Sequence, residues 1–192
     1  VTLLAIVAVV ALLMLGFSLR QKSRSATPVS VPGGASSGSL VLPKLALADG
    51  WSVFASGSVP SKVPGMVGVQ ETVVLTEAGK RVASVTLTTV RHESPMPLAD
   101  AAKAMVMGET RTTVGRGIPW SFTEPTARTW LGHPAMQYDG VLDKVNHLHQ
   151  RSVITEGSAT TACTVTYLAR TADFETHVPM VENILSQFVC TG

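Results

Sequence analysis

The stretch Ser158–Val189, SATTACTVTYLARTADFETHVPMVENILSQFV, decides the fold. In its first part Thr161, Cys163, Val165, Tyr167 and Ala169 are two apart, so they share one face of a β-strand. A polar turn follows at Arg170, Thr171, Ala172 and Asp173. Phe174, Val178, Val181, Leu185 and Phe188 then recur at the spacing of one helical face. Pro179 is compatible with a helix that starts near Thr176, because the first turn has N–H groups with no intrahelical partner. From Cys163 to Ala169 the strand climbs roughly 20 Å at about 3.3 Å per residue. A helix of about 14 residues returns roughly 21 Å. That brings Cys190 beside Cys163, the only other cysteine. The stretch therefore predicts a strand, a helix lying antiparallel across it, and a disulfide joining their far ends.

The chain has 192 residues, enough for one domain with appendages. A hydrophobic share of 45% supports a packed core. The formal charge of +2 comes from the N-terminal region. Taking Arg20, Lys22 and Arg24 from the 15 basic residues leaves 12 against 13 acidic ones. With no basic stripe and no run of like charge, the composition argues against a nucleic-acid partner.

Val1–Leu19 has no charged residue and only Thr2 and Ser18 as polar side chains. At about 1.5 Å per residue it reaches roughly 28 Å, close to the bilayer's hydrocarbon thickness. It is read as a transmembrane anchor over residues 1–19. A cleaved signal peptide is the alternative, against which stand the length of the run and the lack of an A-x-A site. Arg20, Lys22 and Arg24 would hold their flank in the cytoplasm, whereas a stable disulfide belongs outside it. The cysteines decide the expectation: a single-pass membrane protein with its domain extracytoplasmic, in the periplasm or at the cell surface. Residues 20–43, rich in Ser, Pro and Gly, read as a flexible linker, and residues 44–192 as the folded domain.

Within that domain Trp51–Ala55 is a short strand. Val69–Leu75 and Val82–Val90 form a hairpin around Glu77-Ala78-Gly79-Lys80. Leu98–Met107 follows Pro95 and Pro97 as a helix with Leu98, Ala101, Ala102 and Met105 on one side. Gly115, Gly117 and Pro119 open a loop containing Trp120. Thr126–Trp130 continues past Gly132 into Pro134–Val141 as one strand, then Lys144–Thr155 and Thr160–Ala169 complete a meander. Its turns fall at Leu142-Asp143 and Glu156-Gly157-Ser158.

The densest polar constellation is Asn146–Arg151. His147 and His149, two apart on a strand, are candidate ligands for zinc or copper, with Asp139, Asp143 or His133 as a third. The competing view makes His147, His149 and Arg151 the solvated face of a strand. No G-x-S-x-G elbow, phosphate loop or activated thiol is present, and His177 reads as an exposed residue without a catalytic role. Binding residues sit preferentially on loops, which points to Val59–Val69 with Met66 and to Thr113–Trp120 with Trp120.

Asp49-Gly50-Trp51, the hairpin, the helix after Pro97, Leu131-Gly132-His133-Pro134-Ala135, Tyr138-Asp139-Gly140 and the closing run Cys163–Phe188 together resemble the PsbP-like superfamily. That group includes PsbP, DcrB-type envelope proteins and LpqN-type lipoproteins. The resemblance spans about Leu47 to Val189. It implies an α+β fold, a three-layer α/β/α sandwich on a central antiparallel sheet, used for binding or assembly and sharing no catalytic motif. The chain lacks the lipid-accepting cysteine of the lipoprotein members. The expected function is a membrane-anchored, extracytoplasmic, non-catalytic module without a cofactor that holds an envelope protein or small ligand. The alternative is a metal-binding protein or metal-dependent hydrolase using His147 and His149.

Overall fold

The computed structural model describes residues 40, 42, 44–59, 67–142 and 147–190. Its elements are β1 (Trp51–Ser58), β2 (Val67–Glu77), β3 (Lys80–Arg91), α1 (Leu98–Val114), β4 (Ser121–Phe122), β5 (Thr126–Trp130), β6 (His133–Leu142), β7 (Leu148–Ser158), β8 (Thr161–Arg170) and α2 (Phe174–Leu185). The strands form one sheet in the order β1-β2-β3-β8-β7-β6-β4, with β5 also paired to β6. All pairings are antiparallel.

The closing strand lies in the middle of this sheet, between β3 and β7. Cys163, Val165, Tyr167 and Ala169 point to one face beside Ala83, Val85 and Leu87 of β3 and Val73 and Leu75 of β2. Phe174, Val181, Ile184, Leu185 and Phe188 close over them from α2 and the residues after it. On the other face α1 sets Ala102 against Tyr138 and Ile154, with Met105, Val106 and Phe122 around them. An antiparallel sheet with one helix on each face is an α+β fold. Cys163 and Cys190 are bonded, their Cα atoms 5.7 Å apart.

Several boundaries differ from the sequence reading. Helix α2 starts at Phe174 rather than near Thr176, so Pro179 lies inside it. Phe174 is fully buried, and the Tyr167 hydroxyl donates to its carbonyl at 2.8 Å. That anchoring draws the helix start back onto the sheet. With the helix running from Phe174, His177 lies three residues on and turns inward in line with Phe174, Val181 and Ile184. His177 is therefore buried, not exposed, with Nε2 3.4 Å from Glu77 Oε1.

Helix α1 runs past Met107 to Val114. Thr112 and Thr113 donate their hydroxyls to the carbonyls of Gly108 and Glu109, one turn back. Ser121–Phe122, assigned to no element from the sequence, pairs with Gly140 and Val141 as β4. β5 and β6 are two antiparallel strands rather than one continuous strand, because Leu131 (φ 48°) and Gly132 (φ 82°) are both left-handed and reverse the chain. Ala78 and Gly79 do the same between β2 and β3. A left-handed backbone at a residue with a β-carbon costs roughly 1–2 kcal/mol, so Leu131 is a strained choice for that turn. β7 spans Leu148–Ser158, and residues 144–146 of the expected strand fall outside the described residues. It passes through the expected Glu156–Ser158 turn with a bulge between Glu156 and Ser158, and the reversal falls at Ala159-Thr160.

The expected anchor at 1–19, most of the linker, Met66, and Asp143 fall outside the described residues. Among the described residues no helix is long and apolar enough to cross a membrane.

The disulfide closes a segment whose ends are 27 residues apart. Reduction is expected to lower the unfolding free energy by about 3–4 kcal/mol in the loop-closure treatment. Urea titration with and without reductant measures this. A C163A/C190A double variant should match the reduced parent. Equal midpoints for oxidised and reduced protein would contradict the assignment.

Candidate functional site

Helix α2 covers the β2, β3 and β8 part of its sheet face and leaves the β6–β7 part less covered. The β5–β6 hairpin forms a second wall there. Between the two lies a groove of about 320 Å³. Val153 and Val165 form its floor, Val178, Val181 and Leu185 the helix wall, and Trp130 and Leu131 the hairpin wall. Alternation along β5 explains the last wall, since Arg128 and Trp130 share a face. Arg128, Arg151 and Glu182 supply the charge around this apolar interior.

At one end the groove meets a packed polar cluster on the Phe174 ring. The His149 imidazole stacks on it with centroids 3.7 Å apart, and Tyr167 lies 4.5 Å away. The Arg151 guanidinium is 5.1 Å from the same ring centre. Arg151 Nε is 3.0 Å from Asp139 Oδ1, and its Nη2 is 3.9 Å from Glu175. Burial lowers the His149 pKa, and the Arg151 charge lowers it further, against opposing contributions from Asp139 and Glu175. The contact of 3.9 Å from His149 Nε2 to Asp139 is therefore made by a neutral ring at pH 7. Burial first, then the Glu175 and Asp173 carboxylates, push the Tyr167 hydroxyl well above its ordinary range.

His147 and His149 play different parts. The carbonyl of His147 accepts from the Thr171 amide, and its backbone is left-handed (φ 48°). That conformation breaks the strand alternation on which a shared face depends. His149 sits on a central strand beneath α2, so this is no solvated face. Asp139 is committed to Arg151, and His133 is exposed at the start of β6. Among the described residues no group of three His, Cys, Asp or Glu side chains converges to hold a metal ion.

Trp120 is half-buried on the opposite face from the groove. Its ring stacks on Phe122 with centroids 5.8 Å apart, and Phe122 meets Tyr138 edge-on. Both aromatic rings lie over Gly140, where a β-carbon would come within 2.6 Å of Phe122. Gly140 is required by this close approach. Trp120 thus closes the end of the sheet.

A second polar constellation lies beneath α1. The Tyr138 hydroxyl and the Gln150 amide each donate to a different oxygen of Glu109 at 3.0 Å. Gln150 also donates to Ser152, whose hydroxyl is 3.1 Å from that of Thr166. Burial raises the Glu109 pKa above its ordinary 4.5, and the bonds from Tyr138 and Gln150 offset part of that rise. Glu109 sits beyond the helix end read from the sequence. Its partner Gln150 lies within the polar Asn146–Arg151 stretch.

No protein-family profile and no curated protein matches the chain. Among solved structures it is similar to LpqN of Mycobacterium tuberculosis, described as involved in cell envelope biogenesis. That match has 16% identity, covers 78% of this chain and 83% of that one, and has a TM-score of 0.46. It is also similar to the cyanobacterial PsbP of Synechocystis, with 16% identity, 74% and 82% coverage and a TM-score of 0.47.

Because Glu109 holds its proton more tightly in the folded state than in the unfolded chain, stability falls as pH rises from about 4.5 through the raised folded value. An E109Q variant lacks this ionisation. Its stability relative to the parent should therefore increase between about pH 4 and pH 7, as read from urea midpoints at both. A pH-independent difference would remove the buried carboxylate.

Proposed function

We propose that the chain is a membrane-anchored, extracytoplasmic binding module that holds a protein or small ligand of the cell envelope without transforming it. The groove between α2 and the β5–β6 hairpin carries this reading. Its volume of about 320 Å³ lies within the range of known ligand sites, as does its apolar lining with a few charged groups. Trp, Tyr and Arg, which dominate binding energy at interfaces, all contribute to it.

The chemistry around the groove favours holding over reacting. The Tyr167 hydroxyl is bonded to the Phe174 carbonyl, His149 is stacked on Phe174, and Arg151 is paired with Asp139. Each group serves the fold. The disulfide supports an oxidising compartment. The anchor at 1–19, the linker at 20–43 and the domain at 44–192 complete the proposed arrangement, with a loop around Met66 as a further contact.

Hydrogen exchange of the full chain, in native membranes and after purification, tests the reading. Amides of 128–131 and 178–186 are expected to exchange more slowly in membranes, where the occupant is present. Identical exchange in both settings argues against it. Elemental analysis of the purified chain addresses the metal alternative: stoichiometric zinc or copper that disappears in an H147A/H149A double variant would replace the binding-module reading.

A further inference from the structure

Leu131 departs from two local rules at once. It takes the first central position of a turn whose backbone is left-handed at both central residues, where Asn, Asp and Gly are favoured. Its side chain is 48% exposed although apolar. A strained residue held in place by its surroundings is a pointer to function, and Leu131 lies on the lip of the groove beside Trp130.

The walls carry opposite charges. Arg128 stands on the hairpin and Glu182 on α2. Among the described residues neither makes an ion pair, and the Arg128 guanidinium is bonded to the neutral Gln137 side chain. By contrast Arg151 is compensated by Asp139. An engineered cavity of about 150 Å³ accepts one benzene ring, so the groove's volume of about 320 Å³ suits two large apolar side chains. Width matters as well. A helix about 10 Å across spans about two strands at 4.8 Å spacing. On this face β7 and β6 lie between β8 and the β5 wall.

We infer that the groove receives an amphipathic helix of a partner protein, lying beside α2 and inserting two large apolar side chains one turn apart. An acidic residue of that helix faces Arg128 and a basic one faces Glu182. This inference rests on the binding-module reading. An uncharged acyl chain would fill the interior but offers no group to Arg128 or Glu182. Helix-in-groove recognition satisfies both.

The test is photo-cross-linking of the full chain in native membranes, with p-benzoylphenylalanine at Val178 and, separately, at the exposed Ser186, followed by mass spectrometry of the adduct. The expected product is a protein segment with large apolar residues three or four apart, flanked by Asp or Glu. R128E should reduce it at least about tenfold, equivalent to about 1.4 kcal/mol. L131N should also reduce it while raising Tm by about 2–4 °C through relief of the turn. A merely structural leucine would not show that split. A lipid adduct, a self-adduct, a partner segment without the apolar pair, or capture indifferent to R128E would each overturn the inference while leaving a binding module standing. Absence of any adduct from both positions would overturn it too. Unchanged hydrogen exchange in membranes would then remove the broader reading as well.

Discussion

The fold depends on α2 being pinned to the central strand β8 at both ends. At one end the Phe174 ring is buried against Tyr167 and His149, and its carbonyl accepts from the Tyr167 hydroxyl. At the other the Cys163–Cys190 bond fixes the chain after the helix. Between these points Val181, Ile184 and Leu185 join a core built with residues of β1, β2, β3 and β8. Loss of either pin would leave a helix of twelve residues with an internal proline, too short to be stable alone in water.

The two helices cover their faces unequally. α1 lies over β4, β6 and β7 on one side, and α2 over the β2, β3 and β8 region on the other. The groove follows from this offset, because among the described residues the β6–β7 half of the α2 face is flanked by α2 and the β5–β6 hairpin. The polar groups divide in the same way. The α1 side carries the network from Glu109 to Thr166, which orients the second half of that helix at the cost of a partly buried carboxylate. On the α2 side the charges gather around Phe174 and the groove's edge, where ion pairs compensate some and leave others facing the cavity.

Long-range polar contacts were the least legible feature. Glu109 and Gln150 are 41 residues apart, and neither belongs to a recognisable motif. His177 could pass for an exposed residue because the helix was started near Thr176; with helix from Phe174 onward, His177 lies three residues on, along the same buried side. His147 and His149 suggested a ligand pair because a strand was assumed to include both, whereas regular pairing begins at Leu148. The groove has no sequence signature at all. Its walls come from residues as far apart as Arg128 and Ser186.

What the chain specified locally was the closing unit: the apolar face of β8, the stripe of α2, and lengths that bring Cys163 and Cys190 together. Period-two and period-3.6 patterning record which side of an element is buried, and each can be read without knowing the neighbours. Tertiary structure alone decided which strands neighbour β8, how far α1 extends and where the groove opens. Those outcomes depend on contacts between distant segments, and local periodicity carries no information about the identity of the neighbour.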